Sequence, residues 1–159
     1  MHLAAIIIVS VLILILALYY AMACQKPFRD DMIRHFDKYL QDSKNGWNYI
    51  LPQELHSMDM SKVFILDVRK PDDYKREHIQ GSINIFWLDL MKPENLAKLP
   101  TNREIVVVCY VGHTSSQVLV LLKLLGYKAK ALKFGMGTPP SVNVPVAGWS
   151  DYGFETESE

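Results

Sequence analysis

Residues 105–108 read Ile-Val-Val-Val and end in Cys109; a short loop with Gly112 follows, then a segment, residues 118–125, apolar enough for a buried helix. β-Branched side chains suit a strand, and a strand apolar at every position suits a sheet covered on both faces. A strand of this kind followed closely by a helix constrains the chain to a layered α/β arrangement with a parallel sheet. Residues 64–68, Phe-Ile-Leu-Asp-Val, form a second, largely apolar run. Weaker strands are expected at 47–51, 82–85 and 129–132, and helices at 27–40, 52–56 and 94–99. Strands alternating with helices predict parallel βαβ units, a small sheet with helices on both faces, and ligands gathered beyond the carboxyl ends of the strands. Cys109, Asp67 and Arg69 fall at such ends.

The position of Cys109 has two readings. Backbone N–H groups of the loop and the positive end of the next helix can surround a sulfur and favour its thiolate. Alternatively, Cys109 is a small apolar residue closing a strand, since free cysteine is often buried and inert. Other chemistries are easier to remove. Lys plus Arg and Asp plus Glu both number 17, so the chain presents no net basic field for nucleic acid. Cys24 and Cys109 are its two cysteines and its five histidines are scattered, so neither a disulfide framework nor metal-ligand spacing is visible. No metal and no cofactor is expected.

Two further segments carry a resemblance. Phe-Ile-Leu-Asp-Val-Arg-Lys-Pro-Asp-Asp-Tyr at 64–74 and His-Ile-Gln-Gly-Ser-Ile-Asn-Ile at 78–85 resemble the paired signatures of rhodanese domains. In that family a catalytic cysteine follows a later strand, opens a six-residue loop and precedes a helix; Cys109 stands where the pattern expects it. Gly135-Met136 resembles the glycine-methionine pair near the end of such domains. The resemblance covers roughly residues 47–136 and implies a rhodanese-like α/β fold and a sulfurtransferase. A sulfane sulfur would pass from a small donor to a thiol or cyanide through a persulfide on Cys109. Tyr110, Val111, Gly112, His113, Thr114 and Ser115 would bind substrate, with Gly112 allowing the tight turn and Ser115 capping the helix. Asp67, Arg69 and Asp73 are expected to support the site as an ion-pair network, and His78 to hold its own turn. His113 is read more readily as solvent-facing than as a pocket acid.

The loop departs from the family at one point. Many single-domain rhodaneses carry arginine at the sixth loop position; here it is Thr114, and no Lys or Arg occurs from 109 to 117. Cys-Tyr-Val-Gly-His-Thr is partly similar to the Cys-Gly-Ser-Gly-Val-Thr loop of mercaptopyruvate sulfurtransferases. Rhodanese-like phosphatases place arginine at the seventh position, which here is Ser115, so phosphatase chemistry is disfavoured. The competing reading is a non-catalytic, membrane-anchored rhodanese-like binding module.

Residues 3–23 carry no charged side chain. At 1.5 Å per residue they reach about 30 Å, enough for a bilayer core. A cleaved signal peptide would have a shorter apolar run after a positive segment. Ala-Met-Ala-Cys at 21–24 resembles a lipobox, which would make Cys24 a lipid attachment point, although the usual leucine is missing. A retained transmembrane anchor is preferred on length. Lys26, Arg29, Arg34 and Lys38 point to a cytoplasmic domain by the positive-inside rule; the leader-like position points outward, and the extracytoplasmic side is favoured. The expected organisation is a transmembrane anchor or lipoprotein-like signal at 1–24, an amphipathic helix and linker at 25–46, a rhodanese-like domain at 47–136, and an irregular wrap with an acidic tail at 137–159. Val144, Val146 and Trp149 are expected to anchor that wrap, and residues 155–159 to fray.

Overall fold

The computed structural model describes residues 2–137 and 147–159. The chain divides into two compact units, residues 1–38 and 39–159. Helix α1 (His2–Asp42) makes up the first unit and lends its last turn to the second. Side chains from Ile6 to Met22 are exposed, and the helix is long and apolar enough to cross a membrane. Its polar Ser10 donates to the Ile6 carbonyl, so the hydroxyl is satisfied within the helix. Separate helices were expected on either side of residues 24–27, but the helix runs through Pro27 unbroken. Proline removes one intrahelical N–H yet has a φ close to helical, so it can be carried within a helix at a cost. The helix ends at Asp42, where a polar turn and Gly46 at φ 124° redirect the chain.

The second unit is a five-stranded parallel sheet. Its strands are β1 (Tyr49–Ile50), β2 (Val63–Asp67), β4 (Ile83–Asn84), β5 (Glu104–Val108) and β6 (Ala129–Leu132), in the spatial order β1-β6-β5-β2-β4. Helices α2 (Pro52–His56), α3 (Pro71–Arg76), α4 (Pro93–Leu96) and α5 (His113–Leu124) connect them. Alternation along the two central strands divides the core. Phe64, Leu66, Ile105 and Val107 face α5 through Val118, Leu119 and Leu122, with Cys109 on the same side. Val63, Ile65, Val106 and Val108 face Leu55 of α2 and Trp149. The apolar runs are continuous because both faces of these strands are buried.

Two differences concern chain ends. Helix α5 begins at His113 rather than near Val118, because Gly112 at φ 97° turns the chain directly into it. The polar first turn, His-Thr-Ser-Ser, belongs to the helix. The C-terminal residues do not fray: β7 (Thr156–Glu157) pairs antiparallel with β3 (His78–Ile79), and the Glu159 N–H donates to the Lys75 carbonyl. Of the three expected anchors, Val144 and Val146 lie outside the described residues. Trp149 is buried and donates from its indole to the Glu155 carbonyl at 2.9 Å.

Candidate active site

Strand β5 delivers Cys109 to the carboxyl edge of the sheet, between the ends of β2 and β6. The residue is 2 % exposed. The Gly112 N–H donates to its Sγ at 3.1 Å, and Sγ lies 3.4 Å from Ser115 Oγ. Ser115 is fully buried and donates to the Gly112 carbonyl at 3.0 Å. It is therefore not the N-cap that was expected. Gly112 takes that position, and Ser115 is in the first turn with its hydroxyl against the sulfur. Ser116 donates to the same carbonyl at 2.6 Å and is linked to the Tyr49 hydroxyl at 3.2 Å. The sulfur thus sits at the start of a twelve-residue helix, where unpaired N–H groups and the helix dipole favour negative charge.

The loop backbone is clamped from the other side by the chain after β6. The Met136 N–H donates to the Cys109 carbonyl at 2.9 Å, and the Gly137 N–H to the Tyr110 carbonyl at 3.0 Å. Gly135 makes this approach possible. It lies at φ 57°, and a Cβ there would sit 2.2 Å from the Cys109 carbonyl oxygen. At Gly112 an added Cβ would meet the Phe134 nitrogen at 3.3 Å. Val111 and Thr114 are half-buried, while His113 is exposed and has no hydrogen bond among the described residues.

Asp67 and Arg69 form a buried pair, 1 % and 5 % exposed, with a 2.7 Å contact between Arg69 Nη2 and Asp67 Oδ2. Arg69 also donates to the Glu77 carbonyl at 2.6 Å, which pins the turn into α3. His78 donates from Nδ1 to the Tyr74 carbonyl, 2.7 Å away, and stacks on the Tyr74 ring. Burial pushes the Tyr74 phenol up from its ordinary value, and it donates to the Ser82 carbonyl. Asp73 does not join the Asp67–Arg69 pair as expected. It accepts from the Tyr110 hydroxyl and pairs with Arg76 one turn along α3. The Arg69 guanidinium lies 5.8 Å from the centre of the Tyr110 ring. Sequence reasoning missed the contact between Asp73 and Tyr110 because 37 positions separate the two residues and no periodicity connects them. Among the described residues, no group of three or more His, Cys, Asp or Glu is placed to hold a metal ion.

Comparison with known proteins adds to this geometry. The sequence model of the family described as Rhodanese-like domain matches residues 51–137. The chain is similar to the thiosulfate sulfurtransferase PspE of Escherichia coli, with 36 % identity over 39 % of this chain and 60 % of that protein, less than two thirds of its length. It is also similar to the thiosulfate sulfurtransferase GlpE of Stutzerimonas stutzeri, with 30 % identity over 49 % of this chain and 70 % of that protein. Among solved structures, the rhodanese-like domain of an Anabaena protein superposes with TM-score 0.58 and 26 % identity, covering 70 % of this chain and 80 % of that one. A rhodanese-related protein from Thermoplasma volcanium gives TM-score 0.58 over 70 % of this chain and 98 % of its own, at 23 % identity, and supports the fold.

Proposed function

Because the chain belongs to the Rhodanese-like domain family, we propose that it is a sulfurtransferase that carries a sulfane sulfur as a persulfide on Cys109. The observation that supports this most is the placement of Sγ at a helix start, with the Gly112 N–H donating to it and the Ser115 hydroxyl beside it. Thiolate attack on the outer sulfur of a donor forms the new S–S bond, and the electron pair of the broken bond leaves with the rest of the donor. A thiol or cyanide then takes the outer sulfur and returns the thiolate. The same loop donors that hold the thiolate hold the persulfide anion. Relatives named as sulfurtransferases support transfer of this class. Intact-mass measurement after treatment with a sulfane-sulfur donor is the test: one added sulfur on Cys109 is expected, and its absence under every donor would overturn the reading. A non-catalytic binding module is the second reading, favoured by the absence of any Lys or Arg from 109 to 117. It predicts an unmodified Cys109 in the same measurement.

That missing cation bears on the donor. Thiosulfate is a dianion whose charge must be met as water is displaced. Arginine would offer a charge-assisted, often bidentate contact, whereas Thr114 offers one neutral hydrogen bond. The difference is on the order of 1–2 kcal/mol, roughly tenfold in binding. Thr114→Arg is expected to lower the KM for thiosulfate by about that factor and to help a less charged donor less. Equal effects on both donors in steady-state kinetics would remove the electrostatic account.

The reading extends to location. Residues 3–23 are proposed to hold the protein at a membrane, with the domain on the extracytoplasmic side and Cys24 as a lipid site should the leader be cut before it. The unit from residue 39 onward has its own two-sided core. A chain beginning at Lys26 is therefore expected to be soluble and folded, by gel filtration and circular dichroism. Recovery of the unprocessed full-length chain in the soluble fraction would count against the anchor.

A further inference from the structure

The side chain that follows the nucleophile is held by a carboxylate. The Tyr110 hydroxyl donates to Asp73 Oδ2, while Asp73 Oδ1 pairs with Arg76. The two partners of that ion pair differ in their access to water: Asp73 is 17 % exposed and Arg76 63 %. Water therefore screens the guanidinium more than the carboxylate, and an exposed pair of this kind cancels only part of the field of its less exposed member. Arg69 does not make up the balance, since its guanidinium is committed to Asp67 and the Glu77 carbonyl. Tyr110 adjoins Cys109 in the chain, so the Asp73 carboxylate stands one tyrosine side chain away from the nucleophile's backbone. No Lys or Arg within residues 109–117 opposes it.

Resting on the sulfurtransferase reading, we propose that Asp73 is a specificity-determining residue. Its carboxylate, beside the Tyr110 hydroxyl, places a negative charge at the rim of the Cys109 loop, which disfavours dianionic sulfur donors relative to singly charged ones. The separation is on the order of one Debye length at 0.1 M salt, about 10 Å. At that distance in water of low ionic strength, one charge on the donor is worth about twofold in binding and two charges about fourfold, and 0.1 M salt removes most of this.

Two donors with the same reacting bond test this: thiosulfate, a dianion, and methanethiosulfonate, a monoanion. In both, the Cys109 thiolate attacks the terminal sulfur and the S–S bond breaks. The electron pair leaves as sulfite or methanesulfinate, and cyanide takes the sulfur from the persulfide as thiocyanate. At low ionic strength Asp73→Asn is expected to lower the KM for thiosulfate about fourfold and for methanethiosulfonate about twofold, with both effects shrinking as salt is raised. Tyr110→Phe keeps the carboxylate and is expected to keep the wild-type ratio of the two KM values. Arg76→Ala removes the partial neutralisation and is expected to move the ratio the opposite way, which preserves the test should Asp73→Asn fail to fold. An equal shift for both donors, or a Tyr110→Phe variant that reproduces Asp73→Asn, overturns the charge assignment and shows that Asp73 acts only by holding the loop. Absence of turnover by the wild type with both donors overturns the specificity assignment, and only when Cys109 also gains no sulfur from any donor does it overturn the sulfurtransferase reading itself.

Discussion

Cys109→Ser is expected to lower sulfur transfer to cyanide by a thousandfold or more, on the order seen when an enzyme loses its nucleophile. The substitution changes little else. The site is already lined by the Gly112 N–H and the Ser115 hydroxyl, so a serine oxygen inherits both partners. Its cost to stability is expected to be about 1 kcal/mol, the size of one adjusted hydrogen bond. What it removes is the sulfur itself: a serine oxygen is a far weaker nucleophile and cannot carry a sulfane sulfur as a persulfide. Thiocyanate formation together with thermal unfolding measures both effects. A folded variant that still transfers sulfur at the wild-type rate would show that another group is the nucleophile.

Gly135→Ala is expected to damage both the fold and the Cys109 loop. The added Cβ would meet the Cys109 carbonyl oxygen at 2.2 Å and the Tyr110 carbonyl carbon at 2.8 Å. Both are backbone atoms, so no side chain can swing aside. The residue's φ of 57° adds strain for any L side chain, roughly 1–2 kcal/mol. Together these effects are expected to cost about 3 kcal/mol, or about 10 °C in Tm for a domain of this size. Activity should fall at least tenfold, because the hydrogen bond from Met136 to Cys109 is lost with the approach. Gly126→Ala is the control: its φ is 87° but no atom lies within 4 Å of the added Cβ. It should show the backbone strain alone and leave turnover unchanged. Equal losses from the two substitutions would refute the role given to close approach.

The place of Cys109 between a strand and a helix was legible in the sequence because it rests on local signals. Four consecutive β-branched residues before Cys109 and a glycine three positions after it describe a central strand and a tight turn without reference to distant parts of the chain. The start of α5 was less legible. His113, Thr114, Ser115 and Ser116 look like loop by polarity, yet a left-handed Gly112 is enough to begin the helix before them. Pro27 misled for a related reason, since its preference for a first turn does not forbid a place inside a helix. Pairings over long distances were not legible. Strands β3 and β7 are two residues each, separated by most of the domain, and too short for alternation to declare itself. The contact between Asp73 and Tyr110 is of the same kind: either residue alone reads as an ordinary turn or loop side chain.

The strand order also dictates when Cys109 becomes cradled as the chain is made. Strand β1 has β6 as its sheet partner, and the two are about eighty positions apart in the chain, so the edge strand waits for most of the domain to be synthesised. Cys109 leaves the ribosome well before residues 135–137, whose backbone closes over its loop. Pairings of such long sequence separation form late and slowly. During that interval the growing chain carries a thiol that has not yet been enclosed and is open to oxidation or to mixed disulfides. Cys109 is therefore most open to modification before its loop is enclosed.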